Sequence, residues 1–150
     1  MMIRVQREDF DVGQEIEGLT RGRTDVGAVV SFAGLVRDDV EDGDRLKSMT
    51  LEHFPGMTER ELARVEEEAR VRWPLLDVLI VHRHGELLPG DRIVLVVTLS
   101  HHRGAAFEAA SFLMDYLKTR APFWKRELRA SGERWVDARD SDDAAASRWR

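Results

Sequence analysis

At 150 residues the chain is sized for one domain, and it can bury roughly 68–70% of the surface its unfolded form exposes without a disulfide or metal staple. A hydrophobic content of 43% excludes wholesale disorder, and 34% charged residues imply a well-solvated exterior. The net charge of −5 argues against nucleic acid as a partner, and the lack of any cysteine excludes a disulfide scaffold, a thiolate zinc site, a cysteine nucleophile and a persulfide carried by this chain.

The opening MMIRVQREDF has neither the apolar stretch nor the small-residue cleavage site of a secretory signal. The longest apolar run, Ile93–Leu99, falls far short of the ~20 residues that span a bilayer, so a cytoplasmic location with no membrane partner is expected. Ile3–Gln6 reads as a short strand, followed by a brief polar helix capped by Asp11 with Ile16 and Leu19 as its apolar contacts. Gly27–Val36 is predicted as a strand in which Gly34 permits a bulge or a close backbone approach. Residues 38–44 carry five carboxylates in seven positions and read as a mobile, solvated loop, since they lack the ligand periodicity of a calcium loop.

Leu46–His53 alternates as a strand, and Pro55-Gly56 breaks it. Thr58 and Glu61 predict a capping box opening a helix, whose Leu62, Val65, Ala69 and Trp73 recur at helical spacing until Pro74. Asp77–Arg83 is a strand, Leu88–Asp91 a turn and Ile93–Leu99 a buried strand. A longer helix is predicted from about Arg103 to Thr119, with Ala106, Phe107, Ala110, Leu113, Met114 and Leu117 on its apolar face and Pro122 beyond its end. Phe123–Arg129 and a last strand around Arg134–Val136 flank a turn at Gly132. Strands and helices mix without regular alternation, which points to α+β. Residues 1–139 are read as a single domain and 140–150 as a loosely held tail.

Two basic features stand out in this acidic chain. Ser100-His101-His102-Arg103-Gly104 lies where a buried strand meets a helix N-terminus, where unpaired N–H groups and the helix dipole favour an anion. The competing reading is a solvated, polar helix start. Residues 118–139 then hold seven lysines and arginines against three carboxylates. Lys118 near a helix C-terminus suits simple dipole capping. Beside Pro122-Phe123-Trp124-Lys125, however, it could also be held against a partly apolar wall, where a lysine near other cations loses its proton more readily and can serve as nucleophile or proton shuttle. His82-Arg83-His84, with His53, His101 and His102 elsewhere, has no metal-ligand spacing, and buried, hydrogen-bonded histidine is the better reading. From the residues alone, this is a small α+β domain with a lysine-bearing anion pocket.

Seven stretches, in order, resemble the large, catalytic subunit of molybdopterin synthase. They are Phe32–Arg37 (FAGLVR), Leu51–Met57 (LEHFPGM), His82–Gly85 (HRHG), Ser100–Arg103 (SHHR), Met114–Thr119 (MDYLKT), Ala121–Lys125 (APFWK) and Arg134–Val136 (RWV). Phe54 stands where that family often has tyrosine, and the acidic run 38–44 falls in a variable connection. The resemblance implies an α/β hammerhead-type α+β domain with a mixed sheet and two main helices. It implies transfer of sulfur from the thiocarboxylated C-terminus of a small ubiquitin-like subunit to cyclic pyranopterin monophosphate (precursor Z), giving the dithiolene of molybdopterin without a cofactor or metal. It also implies a homodimer with one small subunit at each end.

By the same resemblance, Lys118 and Lys125 are catalytic. Arg37, His102, Arg103, Arg126 and Glu127 bind the anionic substrate, and Phe32, Leu35, Val36 and Met114 line the pocket, part of which comes from the neighbouring subunit. Two rivals use the same residues: a non-catalytic module binding a phosphorylated metabolite or a partner's C-terminus, and a Schiff-base enzyme built on Lys118.

Overall fold

In a computed structural model, residues 2–136 and 140–149 are described. The first sheet has the order β1-β5-β7-β2, formed by β1 (Met2–Gln6), β2 (Ala28–Leu35), β5 (Leu75–Arg83) and β7 (Arg92–Ser100). β1 runs parallel to β5 and the other pairs are antiparallel, so the sheet is mixed, as expected. Its two central strands are covered on both faces, which explains their near-continuous apolar runs. Val78 and Ile80 of β5 pack with Val94 and Val96 of β7 under two long helices, α2 (Met57–Arg72) and α3 (Arg103–Thr119). Their neighbours Leu79, Val81, Leu95 and Val97 turn to the opposite face, against Phe10 and Leu19 of the α1 region (Val12–Thr20). Asp11 caps α1 by accepting a hydrogen bond from the Gln14 N–H at 2.9 Å.

The second sheet has the order β3-β4-β8-β9, from β3 (Val40–Glu41), β4 (Asp44–His53), β8 (Phe123–Arg129) and β9 (Gly132–Val136), with the short β6 (Gly85–Leu87) also paired to β4. A separate small core of Val36, Leu46, Met49, Leu51 and Leu87, with Ile93, joins it to the end of the first sheet. The register of β2 on β7 shifts at Gly34, where a Cβ would come within 2.9 Å of Val94 Cγ1. That is the close approach the sequence required.

Four expectations change. The acidic run does not form a free loop: β3 and β4 make a hairpin around Asp42-Gly43, both at positive φ (51° and 78°) as a two-residue turn demands. Its carboxylates meet arginines of the second sheet, as described below. The second helix opens two residues early, on Gly56, whose N–H donates to Glu59 at 2.7 Å. Thr58 instead donates to the Phe54 carbonyl, and Glu61 takes Arg120 at the end of α3 at 2.8 Å. Phe107 is 60% exposed, because it lies one position off the buried stripe Ala106, Ala109, Ala110, Leu113, Leu117.

Finally, the segment expected as a loose tail contains α4 (Asp140–Ser147), which docks on α3. Ala146 is buried, Trp149 meets Trp73 and Phe112 edge-on at 5.5 and 5.6 Å, and its indole N–H donates to Asp115 at 2.6 Å. An aromatic ring with a satisfied polar edge anchors a segment that its small and charged residues would not. Trp149→Ala is therefore expected to cost about 2–3 kcal/mol, near the lower end for truncating a packed aromatic because the ring is half-buried. Urea unfolding checks this, and an unchanged midpoint would mean that the helix is not docked in solution.

Candidate active site

Where α3 ends, the two sheets diverge and leave a cleft of about 560 Å³, in the range of small-molecule sites. Three parts of the chain supply its charged groups. Lys118 comes from the last turn of α3, Arg37 and Asp39 follow β2, and Lys125 and Glu127 project from β8. Their meeting follows from strand periodicity, since Lys125, Glu127 and Arg129 alternate to one face of β8. Leu35, Val36, Leu117 and Phe123 supply the apolar wall.

A buried charge network stands behind this wall. The Arg129 side chain is 1% exposed, and its Nε donates to Glu127 Oε1 at 2.9 Å. Its two other nitrogens reach Asp39 Oδ2 at 2.5 Å and the Asp44 carbonyl at 3.0 Å. Arg134 adds a second guanidinium, bonding Glu127 Oε1 at 3.2 Å and Glu41 at 2.9 Å. Burial acts to raise the Glu127 pKa, but the bonds and charge of Arg129, then Arg134 and the charge of Lys125, outweigh it and hold the carboxyl below its ordinary value. The paired carboxylates raise the pKa of Arg129, so it stays charged at any working pH.

His82 forms part of the cleft's floor. Its ring stacks on Phe123 at 3.8 Å, and Nδ1 donates to the Arg83 carbonyl at 2.8 Å. Burial, opposed by that bond and reinforced by the charge of Lys118, pushes its pKa down to about 4, so it is neutral. His84 and His53 sit ring to ring at 4.4 Å. The reading of these histidines as buried and hydrogen-bonded describes His82 well.

Of the residues expected at the site, Arg37, Lys118, Lys125, Glu127, Leu35 and Val36 come together. Arg126 points to the other face of β8, where its guanidinium lies 5.6 Å over the Trp135 ring and 3.9 Å from Glu52. Met114 packs into the core beneath α2 and α3, and Phe32 is 43% exposed on the edge strand β2. His102 and Arg103 lie at the opposite end of α3, about 22 Å from Lys118 at 1.5 Å per residue, so within one chain they are not part of the cleft. Asp39, His82 and Arg129 were not expected there. The spacing of Lys125, Glu127 and Arg129 carried a signal for the last of these, whereas Asp39 was hidden in an acidic run.

The MoaE protein family model matches residues 5–120. A protein of Mesorhizobium japonicum named molybdopterin synthase catalytic subunit is 58% identical over 150 residues, covering 99% of this chain and 92% of that protein. Among solved structures, the molybdopterin biosynthesis MoaE protein from Burkholderia ambifaria is 52% identical with a TM-score of 0.84, covering 99% of this chain and 97% of that one. Molybdopterin synthase from Staphylococcus aureus is 30% identical with a TM-score of 0.82, covering 89% of this chain and 96% of that one.

The neutral, buried His82 makes folding pH-dependent. Its folded pKa of about 4 lies below the unfolded 6.5, so its stability contribution is full above pH 6.5 and is lost as pH falls toward 4. The loss should be roughly 3 kcal/mol across that window. Urea unfolding at a series of pH values is expected to show this slope in the wild type and a flatter one in His82→Gln. Equal slopes would mean that His82 does not titrate in this way.

Proposed function

The chain belongs to the MoaE protein family and is an enzyme of molybdopterin synthesis, and we propose that it acts in the cytoplasm as the catalytic subunit that moves sulfur from a small partner's C-terminal thiocarboxylate onto precursor Z. The observation that carries this reading is the convergence of Lys118, Lys125 and Arg37 in one cleft of a chain whose net charge is −5. A thiocarboxylate tail and a phosphate-bearing pterin are both anions, and cations brought together against an apolar wall are what would hold them. Arg37 offers a planar fork suited to the substrate's phosphate. Lys118 and Lys125, compact ammonium groups, would stabilise the charge that develops as the sulfur attacks a substrate carbon and as the partner's acyl group is then released. The partner's tail would lie extended along the cleft with its end between the two lysines.

A second copy of the chain completes the site in this reading. β2 is an open edge of the first sheet, and it exposes Phe32 (43%) and Leu35 (54%), with Phe107 exposed on α3, which packs against β2. An unpaired apolar edge favours strand or face pairing with another copy. Such a dimer would let His102 and Arg103 of one protomer serve the cleft of its partner, which the length of α3 forbids within a single chain. Light scattering at micromolar concentration is expected to give a dimer, and a strictly monomeric chain would contradict the shared pocket.

Lys118 separates catalysis from mere binding. As a helix-end cation it would tolerate arginine, and its loss to alanine would cost ~0.3–1 kcal/mol of stability. In the catalytic reading, Lys118→Arg and Lys118→Ala both fold and bind the partner but lose most product formation, because arginine neither gives up its proton nor fits the ammonium's space. Lys125→Ala is expected to impair turnover less completely. Single-turnover conversion of precursor Z with saturating thiocarboxylated partner is the assay. A Lys118→Arg rate within threefold of wild type, under ~0.7 kcal/mol of barrier, would favour a non-catalytic binding module.

A further inference from the structure

We propose that Arg129 is a positioning residue for this site: one buried guanidinium holds Glu127 in place beside Lys125 and tethers the Arg37 loop to the same wall. This rests on the sulfur-transfer reading for its consequence in turnover, and on geometry for its substance. Arg129 joins two parts of the chain from a buried position, and Arg134 adds a more exposed bridge from Glu127 to Glu41. Through Nε Arg129 grips Glu127 on β8, and through Nη2 it grips Asp39, two residues from Arg37 in the segment between β2 and β3. Its third bond, from Nη1 to the Asp44 carbonyl at 3.0 Å, fixes the start of β4 and thereby the hairpin. The Asp39 carbonyl accepts from Leu46 N–H at 2.8 Å, so the segment bearing Arg37 is pinned on both its side chain and its backbone.

Both arginines bond one oxygen of Glu127, Oε1, and Oε2 accepts from neither of them. The carboxylate is thus fixed in orientation from behind while it lines the cleft. The groups that face it are Arg129 and Lys125 on β8, Arg134 on β9, and Asp39 and Glu41 of the hairpin, with Lys118 and Arg37 lining the same cleft. A guanidinium with 1% exposure has no solvent to replace a lost partner, so a change at any arm of this fork is transmitted to the others. Only arginine spans three acceptors in one plane. Lysine keeps the charge and loses the fork.

The test uses the full chain, the thiocarboxylated partner and precursor Z. In glutamate-labelled protein, ¹³C NMR follows the Glu127 carboxyl, assigned with Glu127→Gln. In the wild type, Glu127 is expected to titrate below the ordinary glutamate range. In Arg129→Lys its titration is expected to move up, the acid limb of the single-turnover rate to move with it, and the rate at neutral pH to fall at least tenfold. Leu19→Ala, destabilised in the core on the opposite face of the first sheet, is expected to leave the acid limb in place, which separates positioning from general loss of stability. If Arg129→Lys does not fold, Asp39→Asn carries the test. It removes the charge from the side-chain tether of the Arg37 segment while Glu127 keeps both arginines and Leu46 still bonds the backbone carbonyl, so KM for precursor Z should rise at least fivefold and the saturated rate fall no more than threefold.

A Glu127 titration unmoved by Arg129→Lys would overturn the proposal. So would an acid limb that stays with the wild type while the titration shifts, or an unchanged KM in Asp39→Asn. Absence of turnover in the wild type, with the Glu127 shift present, would instead fault the sulfur-transfer reading and leave the positioning by Arg129 supported.

Discussion

A permanently charged guanidinium sits almost wholly out of water where β8 meets the acidic hairpin, and the site is built around the need to neutralise it. Burying an ion costs several kcal/mol unless opposite charge and hydrogen bonds surround it. Arg129 meets that requirement with Glu127 from its own strand and with Asp39 from the hairpin, and Glu41 stands 3.9 Å away. The consequence is architectural. Strand β8, which carries Lys125, and the segment after β2, which carries Arg37, cannot separate without stranding the charge. Lys125 and Arg37 are therefore carried on one frame, which is what a site needs to act on an anion without reorganising.

The same arrangement accounts for a basic site in an acidic protein. The carboxylates of Asp39 and Glu41 balance the buried Arg129 and the half-exposed Arg134 from behind, and Lys118, Lys125 and Arg37 face the cleft. Charge is thus sorted by depth, with ion pairs in the wall and cations toward the opening. A surface otherwise rich in carboxylates would repel anionic ligands everywhere except there. His82 fits this sorting, since a buried imidazole beside Lys118 stays neutral and adds no competing charge.

Much of this was legible in the sequence, and the exceptions share a cause. The limits of α3 at Arg103 and Thr119 match the sequence reading because local rules set both ends: the polar start after a buried strand, and the breaking Pro122. The strands of the first sheet were equally clear from their apolar runs. The acidic hairpin was not, because its partner Arg129 lies 90 residues away from Asp39, and five carboxylates in seven residues locally look like a solvated loop. Trp149 docks on Asp115 from 34 residues away, and composition alone could not find that contact. Thr58 fits a capping-box pattern, but the positive φ of Gly56 (84°) starts the helix before it. Of the site itself, Lys118 and Lys125 stand out from residue chemistry, Arg37 and Glu127 through family resemblance, and the fold brings the four together. His102 and Arg103 came from the same resemblance, yet the length of α3 carries them away, and only a second copy could return them.

The central claim is that sulfur reaches the pterin from the partner's thiocarboxylate at this cleft. The most direct measurement is reconstitution of the wild-type chain with the thiocarboxylated partner and precursor Z. Product is read as an oxidised fluorescent pterin, and the partner's C-terminus is read by mass spectrometry in the same samples. Product is expected only with the thiocarboxylated partner, with two thiocarboxylates converted to carboxylates for each dithiolene made. Product formed from an unmodified partner, or thiocarboxylate that persists while product accumulates, would contradict it.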